Sequence, residues 1–385
     1  MFKCVHIADV HFRGLKRHQE YKQIFQDFFV KCKEIDPDLI YIGGDIVHSK
    51  TQGISPELID ILNWWFTELA NISPVHIILG NHDGLILNEN RQDAITPIIK
   101  ALNNDNLYLY KKSGVYPTGI KGYNWCVFSC FDEKGWNSVK PVKDEINIAC
   151  YHGPVEGSLT DIDWALEGEV DLSFFSGYDF GFLGDIHRYQ YLDLEKRVAY
   201  PGSTIQQNYG EEEAKGFIVW EINAKNDFTS KFVQLKNKMP FITIDWKGSI
   251  EDTIEEIKKY PDESRLRIRS DVSISQAEIQ LLHETINTIK NPQEIVYKID
   301  DTSSNSLDYK KNIENLFDIY NSSSRYEFLC NLLNEENEET LKRVNNLFEE
   351  TINKLNFEEK DNHQNKWSIN NIKFNNTFSY GKNNF

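Results

Sequence analysis

The chain has 385 residues, 40% hydrophobic and 26% charged, which is enough for two or three cored domains and argues against a disordered or fibrous protein. Its formal charge of -17 excludes a grip on polyanions through bulk charge, so any nucleic acid would have to meet local basic patches or a basic partner. No apolar run approaches the roughly 20 residues needed to cross a bilayer, so no membrane association is expected.

The first predicted strand, Val5-His6-Ile7-Ala8, leads straight into Asp9-Val10-His11, so no signal peptide is expected. Amphipathic helices follow at 21–35 and 56–71, where Trp64, Trp65 and Phe66 read as core. Between and after them, the apolar runs Leu39–Ile42 and His76–Leu79 end in Gly44-Asp45-Ile46-Val47-His48 and Gly80-Asn81-His82-Asp83. His152-Gly153-Pro154 comes next, and Phe180–Leu183 ends in Gly184-Asp185-Ile186-His187. Short apolar runs punctuated in this way read as buried strands that deliver side chains to one sheet edge. Each block alone also fits an ordinary turn or helix cap. Their joint order is what points to metal chemistry.

In Asp9-x-His11 and Asp185-x-His187, period-two alternation would set both side chains on one face of a strand end. Asp45 is a natural bridging carboxylate, because its two oxygens can serve two ions about 3.5–4 Å apart. A mixed oxygen and imidazole set suits Mn²⁺, Fe²⁺ or Zn²⁺ better than a thiolate site would. The pattern reads as a two-metal hydrolase.

These five blocks resemble the calcineurin-like metallophosphoesterase superfamily, whose pattern runs D-x-H, G-D, G-N-H-D/E, H and G-H-x-H. His48, three residues after Asp45, matches the G-D-x-x-H variant of DNA repair nucleases. The stretch from Tyr200-Pro201-Gly202-Ser203 to Glu211 resembles that of SbcD-type nucleases, which work with an SMC-like ATPase of the SbcC type. The resemblance covers residues 1 to about 222. It implies a layered α/β sandwich, with Asp9, His11, Asp45 and His187 on one ion and Asp45, Asn81, His152 and Asp185 on the other. It further implies His82 as general acid, Asp83 orienting its imidazole, and His48 placing the scissile phosphate. Asp185 stands where the family usually has His; the extra carboxylate favours Mn²⁺ or Mg²⁺ over Zn²⁺. Mn²⁺ is the expected ion, and a homodimer the expected assembly.

Strands at 217–222 and 229–235 close a phosphoesterase domain at 1–237. Strands at 241–246, 266–269 and 295–299 with helices at 250–259 and 275–290 form a small α/β module at 238–300, the capping, DNA-contacting domain of the resemblance. On its middle strand, Arg265, Arg267 and Arg269 fall on one face, either a phosphate-contacting stripe or a solvated outer face. Arg13, Lys16, Arg17 and His18, just after the first block, either touch the substrate backbone or form a charged surface loop, which is the better reading of the four taken alone. A linker at 300–308 precedes amphipathic segments at 309–320, 326–333 and 338–355, whose apolar stripes suit partner docking within 301–366. The last segment, 367–385, resembles the opening strand of an SMC-like ATPase. It is either the start of a fused ATPase or an ordinary terminal strand, and no phosphate-binding loop motif accompanies it. Six cysteines without a C-x-x-C pair read as reduced thiols of a cytoplasmic protein, or a nuclear one in a eukaryote or its virus.

Three function classes fit. One is a Mn²⁺-dependent DNA nuclease, exonucleolytic on duplex ends and endonucleolytic on hairpins or single strands, serving double-strand-break repair or recombination. Another is a general phosphoesterase acting on cyclic nucleotides or phosphoproteins, which the acidity of the chain favours. The third is an assembly factor with a degenerate site, against which the complete set of catalytic positions argues.

Overall fold

The computed structural model describes residues 2–48, 54–86, 88, 91–168 and 170–299. The chain runs β1 (Phe2–Ile7), α1 (His18–Ile35), β2 (Leu39–Ile42), α2 (Pro56–Ala70), β3 (Val75–Ile78), α3 (Thr96–Leu102) and β4 (Leu107–Tyr110). It continues through β5 (Gly114–Pro117), β6 (Tyr123–Phe128), β7 (Ile146–His152), β8 (Phe180–Gly184), β9 (Gln190–Tyr191) and β10 (Val198–Tyr200). The long hairpin β11 (Gly216–Ala224) and β12 (Asp227–Gln234) follows. Last come β13 (Phe241–Asp245), α4 (Ile250–Ile257), β14 (Arg265–Ser270), α5 (Gln276–Ile289) and β15 (Glu294–Ile299).

Two six-stranded sheets form the body, ordered β12-β11-β1-β2-β3-β4 and β5-β6-β7-β8-β10-β9. Strand β1 alternates between two cores, as its period-two pattern requires. Phe2 and Cys4 join Tyr41, Trp125, Phe182 and Trp220 in the core between the sheets, while Val5 and Ile7 face α1 and α2. Helix α1 buries Tyr21, Ile24, Phe25, Phe28, Phe29 and Cys32 on one stripe. Helix α2 starts sharply: Ser55 Oγ accepts the Leu58 N–H and Pro56 holds the first turn, where its missing N–H costs nothing. The architecture is a layered α/β sandwich, as expected.

The apolar runs imply that the ligand blocks share one sheet edge, and here the structure differs. Asp9, Asp45 and Asn81 follow β1, β2 and β3 of the first sheet, but His152 and Asp185 end β7 and follow β8 of the second. The strands β5, β6 and β7 are not among the elements expected from the sequence.

The all-parallel sheet β13-β14-β15 carries its own core of Ile242, Ile244, Leu266 and Ile268 against Ile254, Ile257, Leu282 and Ile286. Its arginine face is graded: Arg265 is buried, Arg267 half-buried and Arg269 exposed. Arg265 is buried against Glu20 of α1, Arg267 donates to Thr243 Oγ1 and the Tyr209 carbonyl, and Arg269 pairs with Asp245 at 2.7 Å. Each guanidinium has a partner within this chain, Arg265 on a buried carboxylate and Arg269 on an exposed one.

Among the described residues Cys4, Cys32, Cys126, Cys130 and Cys150 are free thiols, and no helix is long and apolar enough to cross a membrane. The linker, docking helices and terminal strand expected from 300 onward lie outside the described residues.

Candidate metal centre

The donors converge because the backbone turns abruptly where each strand stops. Asp9 (φ 53°), His11 (φ 54°), Asp45 (φ 52°) and Asp185 (φ 101°) all sit in left-handed conformations. Such non-glycine positions cost about 1–3 kcal/mol each and collect at functional sites. Strand periodicity therefore does not place Asp9 and His11; β1 has ended at Ile7, and two left-handed residues aim them instead. Glycine allows the close approach. Gly44 (φ 94°) lies where an added Cβ would stand 2.6 Å from His152 Nδ1 and 2.7 Å from the Gly80 nitrogen.

Asp45, 2% exposed, is the hub. Its Oδ2 lies 3.6 Å from His11 Nε2 and 4.0 Å from His82 Nε2, and its Oδ1 lies 3.3 Å from His152 Nε2. Asp185 Oδ1 is 3.7 Å from the same His152 nitrogen. His11 Nε2 and His187 Nε2 face each other at 2.9 Å, and both Asp9 oxygens accept the Asp185 N–H at 3.0 and 3.1 Å. Three groups have donor atoms close enough to share an ion: Asp9-His11-His187, Asp9-Asp45-His152 and His11-Asp45-His82. Asn81 lies in the turn after β3, beside His82. Six of the seven expected ligands thus surround one space, His82 joins them, and Asn81 is next to His82 in the chain.

The donor set fits divalent cations. His152 Nδ1 points at the Gly43 carbonyl (2.7 Å), so that nitrogen carries the hydrogen and Nε2 turns its lone pair toward two carboxylates. A buried lone pair facing Asp45 and Asp185 requires a proton or a metal between them. Burial works against charging His152, but Asp45, Asp185 and Asp9 outweigh it and raise its pKa well above the ordinary range. Burial likewise pushes Asp9 up to about 7 and raises Asp185. Asp45 is the exception: the histidines around it, His152 first, overcome burial and lower its pKa. The centre is short of positive charge.

His187 is held by Glu211, a residue for which the sequence suggests no role. Glu211 Oε1 accepts from His187 Nδ1 at 2.8 Å, leaving Nε2 free for the site. The other Glu211 oxygen receives Ser203 Oγ, the Gln207 N–H and Lys215 Nζ at 3.2, 3.0 and 3.2 Å. The Tyr200–Glu211 stretch is thus a brace behind the donors: Tyr200 Oη donates to the Gly153 carbonyl, Thr204 Oγ1 to that of Ala8, and Gln207 Nε2 to that of Val10. Its place at the close of the SbcD-like stretch was the available signal for Glu211.

Asp83 does not touch the His82 ring as expected. Its buried carboxylate accepts the N–H groups of Ile46, Val47 and Gly80, tying the turn after β2 to the turn after β3. His82 Nδ1 donates instead to the His48 carbonyl at 2.6 Å, which leaves Nε2 of a partly exposed ring facing the centre. The His48 ring stands 5.6 Å from that of His11; burial, then Arg13, lower its pKa to about 4, so it is neutral at pH 7.

Residues 2–189 match the calcineurin-like phosphoesterase family. The chain carries a calcineurin-like phosphoesterase domain. It is 33% identical over 410 residues to an uncharacterized protein of Acanthamoeba polyphaga mimivirus, a match covering 98% of this chain and 29% of that protein. The chain therefore spans less than a third of that relative's length. It is 25% identical to the D subunit of the SbcCD nuclease of Staphylococcus epidermidis, over 66% of this chain and 74% of that one. A putative phosphoesterase of invertebrate iridescent virus 6 is 26% identical over 57% of this chain and 76% of its own. Calcineurin-like phosphoesterases use divalent metals, and the donor groups around Asp45 are candidates to hold them.

Proposed function

We propose that the chain is a two-metal DNA phosphodiesterase, exonucleolytic on duplex ends and endonucleolytic on hairpins or single strands, working with an SMC-like ATPase in double-strand-break processing. The observation that carries this reading is the convergence on Asp45 of donors from both sheets, with the exposed nitrogen of His82 beside them. Asp9, His11, Asp45 and His187 would hold one ion, and Asp45, Asn81, His152 and Asp185 the other, with Mn²⁺ preferred. Ions so held supply Lewis acidity at the phosphate and a nucleophile at neutral pH. His82, its Nδ1–H fixed on the His48 carbonyl, gives a proton from Nε2 to the leaving sugar oxygen. Glu211 keeps His187 in its ligating tautomer. Residues 1–237 act as the phosphoesterase domain and 238–300 as the cap, while 301–366 dock the ATPase.

The SbcCD likeness supports DNA over other phosphodiesters. The test is incubation of the purified chain in Mn²⁺, with and without an SMC-like partner, on end-labelled duplex and hairpin DNA and on a cyclic nucleotide. DNA cleavage that a truncation after Asp300 no longer couples to the partner supports the full reading. Hydrolysis of the cyclic nucleotide with intact DNA overturns it in favour of a general phosphoesterase.

A further inference from the structure

A second charged feature lies outside the donor cluster. Arg13, Lys16, Arg17 and Arg265 line a cavity of about 450 Å³, with Phe241 and the carboxylate Glu294. In a chain of net charge -17, four cations on one cavity run against the average composition. Their local compensation is incomplete. A single buried carboxylate, Glu20, serves two guanidinium groups: Arg17 at 2.8 and 2.9 Å and Arg265 at 2.8 and 3.1 Å. Glu294 accepts from Tyr209 Oη at 2.8 Å. Arg13 reaches only the uncharged oxygens of Gln207, at 3.3 and 3.4 Å, and Lys16 forms no ion pair among the described residues.

Two of these groups also retain unused donors. Arg17 Nη1 and Arg13 Nε are buried N–H groups with no acceptor among the described residues, although the Arg17 side chain is only 7% exposed. Buried polar donors are nearly always paired, so two orphans on one cation-lined cavity call for an anion. Planar forks of this kind suit phosphate oxygens. Phe241 keeps the geometry rigid, with Arg17 and Arg265 stacked over its ring at 5.0 and 4.8 Å. The cavity is chained to the donor cluster: Arg13 lies two residues after His11, and the charges of Arg13 and Arg17 bear on His48.

Resting on the phosphodiesterase reading above, we propose that this cavity is a second phosphate subsite, holding a backbone phosphate that flanks the scissile one. It would set how the strand enters without taking part in hydrolysis. The same chemistry would accept free orthophosphate, and the test separates the two sources.

Binding of fluorescein-labelled hexathymidylate to the full chain is measured by anisotropy in EDTA, where hydrolysis is silent, for wild type and Arg13→Gln/Lys16→Ala. Both positions lie in the loop between β1 and α1, Arg13 half-buried and Lys16 exposed, and equal melting temperatures confirm the fold. The double variant is expected to lose at least about tenfold in affinity, and its logarithmic salt dependence to flatten by about 0.7 for each phosphate no longer neutralised. Unchanged oligonucleotide affinity, together with no broadening of the orthophosphate ³¹P line by wild type, overturns the subsite. Broadening by wild type but not by the variant, with oligonucleotide affinity unchanged, keeps the subsite and assigns it to free phosphate. Oligonucleotide binding that depends on Arg13 and Lys16 in a protein that cuts no DNA in Mn²⁺ keeps the subsite and removes the nuclease reading. Cleavage of DNA in Mn²⁺ with indifferent oligonucleotide binding and no orthophosphate broadening removes the subsite and keeps the nuclease reading.

Discussion

Replacing Glu211 by Gln should cost both stability and metal affinity. The carboxylate is 4% exposed and collects His187 Nδ1, Ser203 Oγ, the Gln207 N–H and Lys215 Nζ. Burial alone would raise its pKa, but His187 and Lys215 overcome that and bring it from 4.5 down to about 2. At about 1.4 kcal/mol per pH unit, this is about 3 kcal/mol of folding stability. Because the folded-state value is depressed, that stability is fully present above pH 4.5 and is lost as pH falls toward about 2. The Gln amide can still accept from His187, but its NH₂ then faces the Gln207 N–H and Lys215, donor against donor. Urea denaturation of metal-free protein at neutral pH should show the variant less stable by about 3 kcal/mol, with the difference shrinking on acidification. Calorimetric titration with Mn²⁺ should show affinity down by about 10–100-fold. A variant as stable as wild type at neutral pH, or binding Mn²⁺ equally well, would refute the role given to this brace.

Four further outcomes are expected. His82→Ala should bind metal as wild type does and lose about 10²–10⁴-fold in turnover; a fall in metal content by mass spectrometry would make His82 a ligand and not the acid. Asp45→Ala, which strips three imidazoles of their shared carboxylate, should abolish both metal loading and hydrolysis, and two ions per chain in this variant would end its bridging role. Gly44→Ala forces a Cβ into the space of His152 at a left-handed position, at about 1–2 kcal/mol for the backbone and about 1–3 kcal/mol for the overlap; an unchanged melting temperature would contradict the packing. Because His152 holds a proton in the metal-free protein, Mn²⁺ affinity should weaken on acidification, with protons released on binding; calorimetry in buffers of differing ionisation heat reads that release, and its absence would count against the charge balance drawn here.

Most of the centre was legible because its residue types are chemically rare at strand ends. Asp9, His11, Asp45, His152, Asp185 and His187 all meet around one space, as their blocks implied. The route by which they meet was not legible. Aspartate tolerates both extended and left-handed backbone, so the spacing of Asp9 and His11 fits a strand equally well, whereas both have φ near 50°. The contribution of the second sheet is hidden for a different reason. Trp125–Phe128 is an apolar run that no donor block follows, and Ile146–Tyr151 carries neither the terminal Gly-Asp nor the Asp-x-His that marks the other strands. Asp83 beside His82 suggested a side-chain pair, but in a tight turn the nearest donors to a short carboxylate are backbone N–H groups. Arg265 reads as surface because its partner, Glu20, lies 245 residues away in the chain.

The division of donors between two sheets makes the centre a clasp. Asp9 and Asp45 belong to one leaf of the sandwich and His152 and Asp185 to the other, so no ion can be fully held until the leaves have docked. Ions that bind only the closed form stabilise it by mass action, about 2.7 kcal/mol when free ion exceeds its dissociation constant a hundredfold. Chelation should therefore loosen the seam between the leaves first, and amide exchange in β2 and β8, which flank it, should quicken before that of the outer hairpin β11–β12. The last donor, His187, comes before β11 and β12, so every donor is already synthesised when the final two strands complete the first sheet.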